Sequence, residues 1–154
     1  MTFTAWRITK RTRVRTAFSG LGARKYGGRW NSPGTNVVYA AQHQSLAALE
    51  MLVHLESAEL VWKYVLIGVE IDEAYVADVS RSRLPRNWQT DPPRAELSLI
   101  GDQWAADAKT AVLRVPSALV PDESNFLLNP LHPDFGKLGI GKPVSFRFDS
   151  RLAK

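Results

Sequence analysis

Apolar positions fall into short runs separated by glycine, proline and small polar residues, and the period within each run predicts its element. Residues 36–41, NVVYAA, follow a Pro-Gly turn and form a short β-branched run that predicts a buried strand. Residues 44–57, QSLAALEMLVHLES, are rich in Leu, Ala, Met and Glu and predict a helix with Ser45 as its N-cap. The partly alternating run at 61–71, VWKYVLIGVEI, predicts a long central strand. Residues 75–80 predict another strand and 80–88 a loop. Pro92 and Pro93 open a helix over 95–108 that tolerates Gly101. Three further strands follow: 110–121, broken by Pro116; 125–129; and 143–149, with Val144, Phe146 and Phe148 on one side. Strands outnumber helices and their order is mixed, which predicts an α+β fold. No repeat or linker divides the chain, so one domain over 1–154 is expected.

Composition changes this picture in two respects. Cysteine is absent, which removes disulfides, thiol nucleophiles and cysteine metal sites together. The net charge is +5, and much of the excess lies early, in Arg7, Lys10, Arg11, Arg13, Arg15, Arg24, Lys25 and Arg29. Such a balance attracts nucleic acid, a phosphate-bearing small molecule or an acidic protein, or else forms a solvated basic face. A basic nucleic-acid-binding module built on Arg7–Arg15 and Trp6 is therefore one reading. No apolar run approaches the ~20 residues that cross a bilayer, and the first residues carry no apolar signal core. A cytoplasmic protein is expected.

Several chemistries leave no signature. No G-x-x-x-x-G-K-[ST] phosphate loop is present. The Gly20-Leu21-Gly22 pair lacks the third glycine of a dinucleotide fingerprint, because position 25 is lysine. The three histidines, His43, His54 and His132, are scattered outside any H-E-x-x-H. No G-x-S-x-G announces a serine triad.

Five polar residues stand in apolar company. Arg29 follows two glycines that allow close approach of a ligand; its planar guanidinium suits phosphate oxygens or, alternatively, a carboxylate that steadies the turn. Tyr39 lies inside an apolar strand, as a satisfied core residue or as a platform for a flat ring. On a helix Glu50 lies about 40° from Leu46 and about 60° from Val53, at the edge of a stripe of Leu46, Leu49 and Val53. A carboxylate there is costly to bury unless paired. Ser117 and Asn125 either tie the backbone or bond a ligand. A cation, an aromatic face, a lone acid and short hydrogen-bonders together suit a nucleotide.

The stretches WRI at Trp6, GGRWNSPGTNVVYAA, SLAALEMLVHL and VPSALVPDESNFLLNPLHPDF resemble the RES domain, the toxin half of bacterial RES–Xre toxin–antitoxin pairs, over most of the chain. The resemblance maps the family's arginine, glutamate and serine onto Arg29, Glu50 and Ser117, with Ser124 as the other candidate serine. Tyr39 and Asn125 match the accompanying tyrosine and asparagine, and Phe126 stands where many members have tyrosine. It implies a fold similar to diphtheria-toxin-like ADP-ribosyltransferases. It also implies NAD+ as the substrate and loss of the nicotinamide from ribose, or in some members ADP-ribosyl transfer to a protein; the missing metal motifs add the expectation of no metal. Catalysis would fall to Glu50, Arg29 and Tyr39, with Arg29, Tyr39, Ser117 and Asn125 binding substrate. It implies an Xre-type helix-turn-helix antitoxin and a toxin homodimer within a larger complex, rather than direct binding of nucleic acid.

Overall fold

The computed structural model describes residues 1–153, so Lys154, the last residue of the expected domain, lies outside them. In chain order the elements are β1 (Thr2–Lys10), α1 (Leu21–Tyr26), β2 (Val38–Ala41), α2 (Gln44–Leu52), β3 (Tyr64–Asp72), β4 (Val76–Asp78), α3 (Ala95–Asp107), β5 (Val112–Pro116), β6 (Ser124–Leu128), β7 (Gly139–Ile140) and β8 (Val144–Phe146). All of these strands join one sheet in the order β4-β5-β6-β2-β1-β3-β7, with β8 also on β3. Among the described residues only β4 and β5 run parallel. The α+β expectation holds.

The N-terminal run is the main departure. Its charge supports the reading of a basic nucleic-acid-binding module, yet Thr2–Lys10 is an inner strand paired with β3 from Thr2↔Asp72 to Lys10↔Tyr64. Alternation explains it: Phe3 and Ala5 pack on one face of the sheet, Trp6 and Ile8 on the other. Arg7 lies within the strand, donating Nε to the Ala17 carbonyl at 2.8 Å and Nη1 to the Tyr39 carbonyl at 2.9 Å. Burial lowers its pKa to about 10.

Helix α2 is shorter than expected. It begins at Gln44 with His43 as N-cap, so Ser45 lies inside it and makes no cap. It ends at Leu52, and the chain continues into a 3-10 turn, Ser57–Val61, opened by a Glu56/Glu59 capping box. That turn delays β3 to Tyr64. The inward face of α2 is Leu46 and Ala47, while Leu49 and Val53 are exposed. The expected stripe is therefore rotated, because the sheet takes the side of the helix that Glu50 borders.

Helix α3 buries Leu97, Gly101 and Trp104, spaced by four and three residues. Gly101 is required by contact: a Cβ there would stand 1.7 Å from the Trp30 carbonyl oxygen.

One face of the sheet carries a continuous core of Ala5, Val38, Ala40, Val69, Ile71, Val112, Phe126 and Leu128. The other face carries two separate clusters. Under α3 lie Trp30, Trp88, Leu97, Trp104, Leu113 and Leu127. Under α2 lie Ile8, Ala41, Leu46, Ala47, Tyr64 and Phe148. Fully burying each such side chain contributes roughly 1.5–3 kcal/mol. The two clusters meet over β2 and β6, and that junction positions the site.

Candidate functional site

Two registered rows cross the junction. Leu113, Leu127 and Tyr39 lie side by side, and two residues along the strands so do Val115, Asn125, Ala41 and Trp6. Side chains two apart share a face, so Tyr39 and Asn125 look to the same side of the sheet.

At one end, α2 holds Glu50 over Asn125. Glu50 Oε1 accepts from Ser117 Oγ at 2.8 Å and from Asn125 Nδ2 at 2.7 Å. Ser117, fully buried just after β5, also accepts from the amides of Leu119 and Val120 at 3.1 Å each. Its single proton is thus committed to the carboxylate. Glu50 Oε2 makes no hydrogen bond among the described residues. Asn125 Oδ1 is buried without a partner, a state that costs about 1–3 kcal/mol. A carboxylate held by two donors, with an orphaned acceptor beside it, is a set of groups arranged for something else to bond.

At the other end stands the glycine turn. The Tyr39 hydroxyl donates to Asn31 Oδ1 at 2.7 Å and accepts from the Trp30 amide at 3.1 Å. Gly28 leaves it room, since a Cβ there would stand 2.8 Å from that oxygen. Burial pushes the Tyr39 pKa well above the tyrosine range; the Trp30 amide and the Arg29 charge oppose the shift, and Asp102 adds to it. Arg29 is half-buried and Nη1 donates to the carbonyls of Trp88 at 3.2 Å and Thr90 at 2.9 Å. Its partners are thus carbonyls rather than the carboxylate that sequence offered as one alternative.

The segment from Arg81 to Thr90 links the two ends. Besides meeting Arg29, it sends Gln89 Nε2 to the Ala118 carbonyl at 3.2 Å and Arg81 to the Pro121 carbonyl. The concavity at Arg29, about 220 Å3, is lined by Gly27, Gly28, Ser32, Arg94 and Ser98, and does not extend to Glu50. Arg29 and Glu50 therefore do not share one open cavity; the segment meets Arg29 at one end and the loop at Ala118 and Pro121, just after Ser117, at the other. Among the described residues no three His, Asp or Glu side chains gather as a metal site.

The model of the RES domain family matches residues 4–149. The chain belongs to the RES domain family. It is 39% identical over 148 residues to Toxin Res of Yersinia enterocolitica, covering 96% of this chain and 97% of that protein. It is 38% identical over 159 residues to the Prs ADP-ribosylating toxin of Sphingobium sp. strain YBL2, covering 100% and 99%. Its fold superposes with a TM-score of 0.78 on a chain of the M. tuberculosis MbcT–MbcA toxin–antitoxin complex, at 19% identity, covering 96% of this chain and 85% of that one.

Of the residues mapped from the RES pattern, Glu50, Ser117 and Asn125 meet directly, and Arg29 and Tyr39 meet through the glycine turn. Ser124 uses its backbone, donating to Gln42 Oε1 at 2.8 Å, and makes no side-chain bond to Glu50. Two residues of this RES chain escaped sequence reasoning. Buried Asn31 receives the Tyr39 hydroxyl and donates to the Ala23 carbonyl at 2.9 Å. Asp102 of α3 accepts the Ser32 amide at 2.9 Å. Asn31 had a signal, a short amide beside a Gly-Gly-Arg-Trp turn; Asp102 resembled any polar position on a helix.

Proposed function

We propose that this chain is the toxin of a toxin–antitoxin pair and an enzyme that breaks the nicotinamide–ribose bond of NAD+. The observation that carries the reading is the Glu50 carboxylate: one oxygen fixed by Ser117 and Asn125, the other unbonded beside an orphaned Asn125 acceptor. The name of the Sphingobium relative, an ADP-ribosylating toxin, supports the same bond as the point of attack.

The ring nitrogen of nicotinamide is cationic while bonded to ribose and takes the bonding electron pair on leaving, so the ring departs neutral and needs no general acid. One carboxylate therefore suffices, where glycosidases of the usual kind need two. Glu50 hydrogen-bonds the ribose and stabilises the positive charge that develops as the bond breaks. Asn125 Oδ1 accepts a hydrogen bond from a ribose hydroxyl or the carboxamide, and Ser117 holds the carboxylate in place. Tyr39 offers its ring, because its hydroxyl is committed to Asn31 and Trp30. Arg29 anchors phosphate with the guanidinium N–H groups that Trp88 and Thr90 leave free. Its role is binding, and that of Tyr39 is positioning with a stacking face.

The ADP-ribose acceptor is water, phosphate or a protein side chain. The proposed partner is an Xre-type helix-turn-helix antitoxin, with a toxin homodimer in the complex. Incubating the isolated chain with NAD+ and resolving the products tests the reading. Nicotinamide with ADP-ribose or its phosphate supports hydrolysis or phosphorolysis. A labelled protein supports transfer. Intact NAD+ at enzyme concentrations where Glu50→Gln also gives none would refute the enzyme.

A further inference from the structure

Arg29 stands at the corner of a turn whose backbone closes on itself. The Gly28 amide donates to the Asn31 carbonyl at 2.9 Å and the Asn31 amide to the Gly28 carbonyl at 3.4 Å, leaving Arg29 and Trp30 as the central residues. Trp30 and Asn31 are 2% and 1% exposed, so the turn is rooted in the interior while Arg29 reaches the Trp88 and Thr90 carbonyls.

The Asn31 side chain ties this turn to its surroundings. Its Oδ1 accepts the phenol proton of Tyr39, on β2, at 2.7 Å. Its Nδ2 donates to the carbonyls of Ala23 in α1 at 2.9 Å, Ser32 at 3.2 Å and Thr35 at 3.3 Å. Those neighbours fix the orientation of the amide, because the flipped group would set an oxygen against carbonyl oxygens. The phenol proton is equally determined: the Trp30 amide donates to the Tyr39 oxygen at 3.1 Å, so the hydroxyl gives its own proton to Asn31. An acceptor and two donors at this reach are what asparagine carries; ionised aspartate has no donor and serine only one. Every one of these bonds converges on the corner that carries Arg29.

We propose that Asn31 is a positioning residue for substrate: it fixes the root of Arg29, whose guanidinium grips phosphate, and so sets affinity rather than the rate of bond breaking. This role rests on the NAD+ reading of the site. The Trp88 and Thr90 carbonyls hold Arg29 at its tip and the Asn31 turn holds it at its base, and together they aim the N–H groups left free. A displacement of about 1 Å in such an anchor can cost about 10²-fold. Glu50 is held by Ser117 and Asn125 instead, so loosening the turn leaves the chemical step intact.

Steady-state kinetics of NAD+ loss in the full chain, below the melting temperature of every variant, test this role. Asn31→Ala should raise KM about tenfold and leave kcat within about threefold of the parent. Because Asn31 acts through Arg29, the double variant Arg29→Ala, Asn31→Ala should have a KM within about twofold of Arg29→Ala alone, where independent effects would multiply. Ile71→Ala, in the core on the opposite face of the sheet, should lower Tm and leave KM unchanged. If Asn31→Ala fails to fold, Asn31→Ser, which keeps one hydroxyl, should raise KM about threefold, with a matching loss of affinity for titrated ADP-ribose. An unchanged KM in a folded Asn31 variant overturns the proposal and leaves the enzyme reading standing. So does a loss confined to kcat, or KM effects that multiply in the double variant. A parent chain that leaves NAD+ whole and binds no ADP-ribose removes the reading and this role with it.

Discussion

Replacing Glu50 by glutamine separates the chemistry of the carboxylate from its structural part. The carboxylate accepts two hydrogen bonds, from Ser117 Oγ and Asn125 Nδ2. A glutamine oxygen placed at Oε1 keeps both, as neutral rather than charge-assisted bonds. Charged bonds contribute about 1.5–3 kcal/mol and neutral ones about 0.5–1.5, so the loss is roughly 1 kcal/mol for each bond. Relief of a half-buried charge offsets part of that total. In a domain of this size each kcal/mol moves Tm by about 2–4 °C, so melting should fall by less than about 8 °C. Turnover should respond far more, because the developing ribosyl charge loses its counter-charge. Removing one preorganised electrostatic stabiliser typically costs about 10²–10³-fold in rate. The assay pairs initial rates of NAD+ loss in the isolated chain with a thermal melt of the same preparation. A rate within threefold of the parent would refute the role given to Glu50. A collapse in melting with a proportionate loss of rate would make the cluster a structural element alone.

Arg29→Ala should raise the KM for NAD+ at least tenfold with a smaller change in kcat, since a remote phosphate anchor supplies binding energy; steady-state kinetics decide it. Tyr39→Phe leaves the Trp30 amide and Asn31 Oδ1 without their shared partner, so stability should fall by about 1–3 kcal/mol in urea unfolding, and KM should rise as the Arg29 turn loosens. The raised Tyr39 pKa means the folded state keeps its proton where the unfolded chain loses it, near pH 10. Stability from this group is therefore intact below pH ~10 and declines above it. Absorbance at ~295 nm should show fewer phenols ionising in the native chain than in the urea-unfolded chain at that pH, because burial raises both Tyr39 and Tyr64, and Tyr39→Phe should shrink the difference without abolishing it. Gly101→Ala forces a methyl onto the Trp30 carbonyl and should cost about 3 kcal/mol or more, visible as a Tm drop of several degrees.

How much was legible in advance differs between elements for physical reasons. Helix α3 and strands β2 and β6 were foreseen closely, because each buries one defined stripe and turn residues bound it. The strand at Thr2–Lys10 was missed because attention to charge hid an alternation of Phe3 and Ala5 against Trp6 and Ile8. Rotation of α2 could not be read from periodicity: Leu46, Ala47, Ala48, Leu49, Met51, Leu52 and Val53 surround most of that helix, and only docking on the sheet selects which are buried.

The same division runs through the site. Local chemistry determined which side chains were costly to leave alone in apolar company, and so marked Arg29, Tyr39, Glu50, Ser117 and Asn125. Tertiary structure alone decided their partners. Contacts such as Ser117 to Glu50, 67 residues apart, and Asn125 to Glu50, 75 apart, depend on strand order, and no local pattern encodes that order. It likewise decided that Arg29 meets carbonyls rather than an acid. Sequence fixes the groups that need partners; sheet register and packing fix which partners lie within reach.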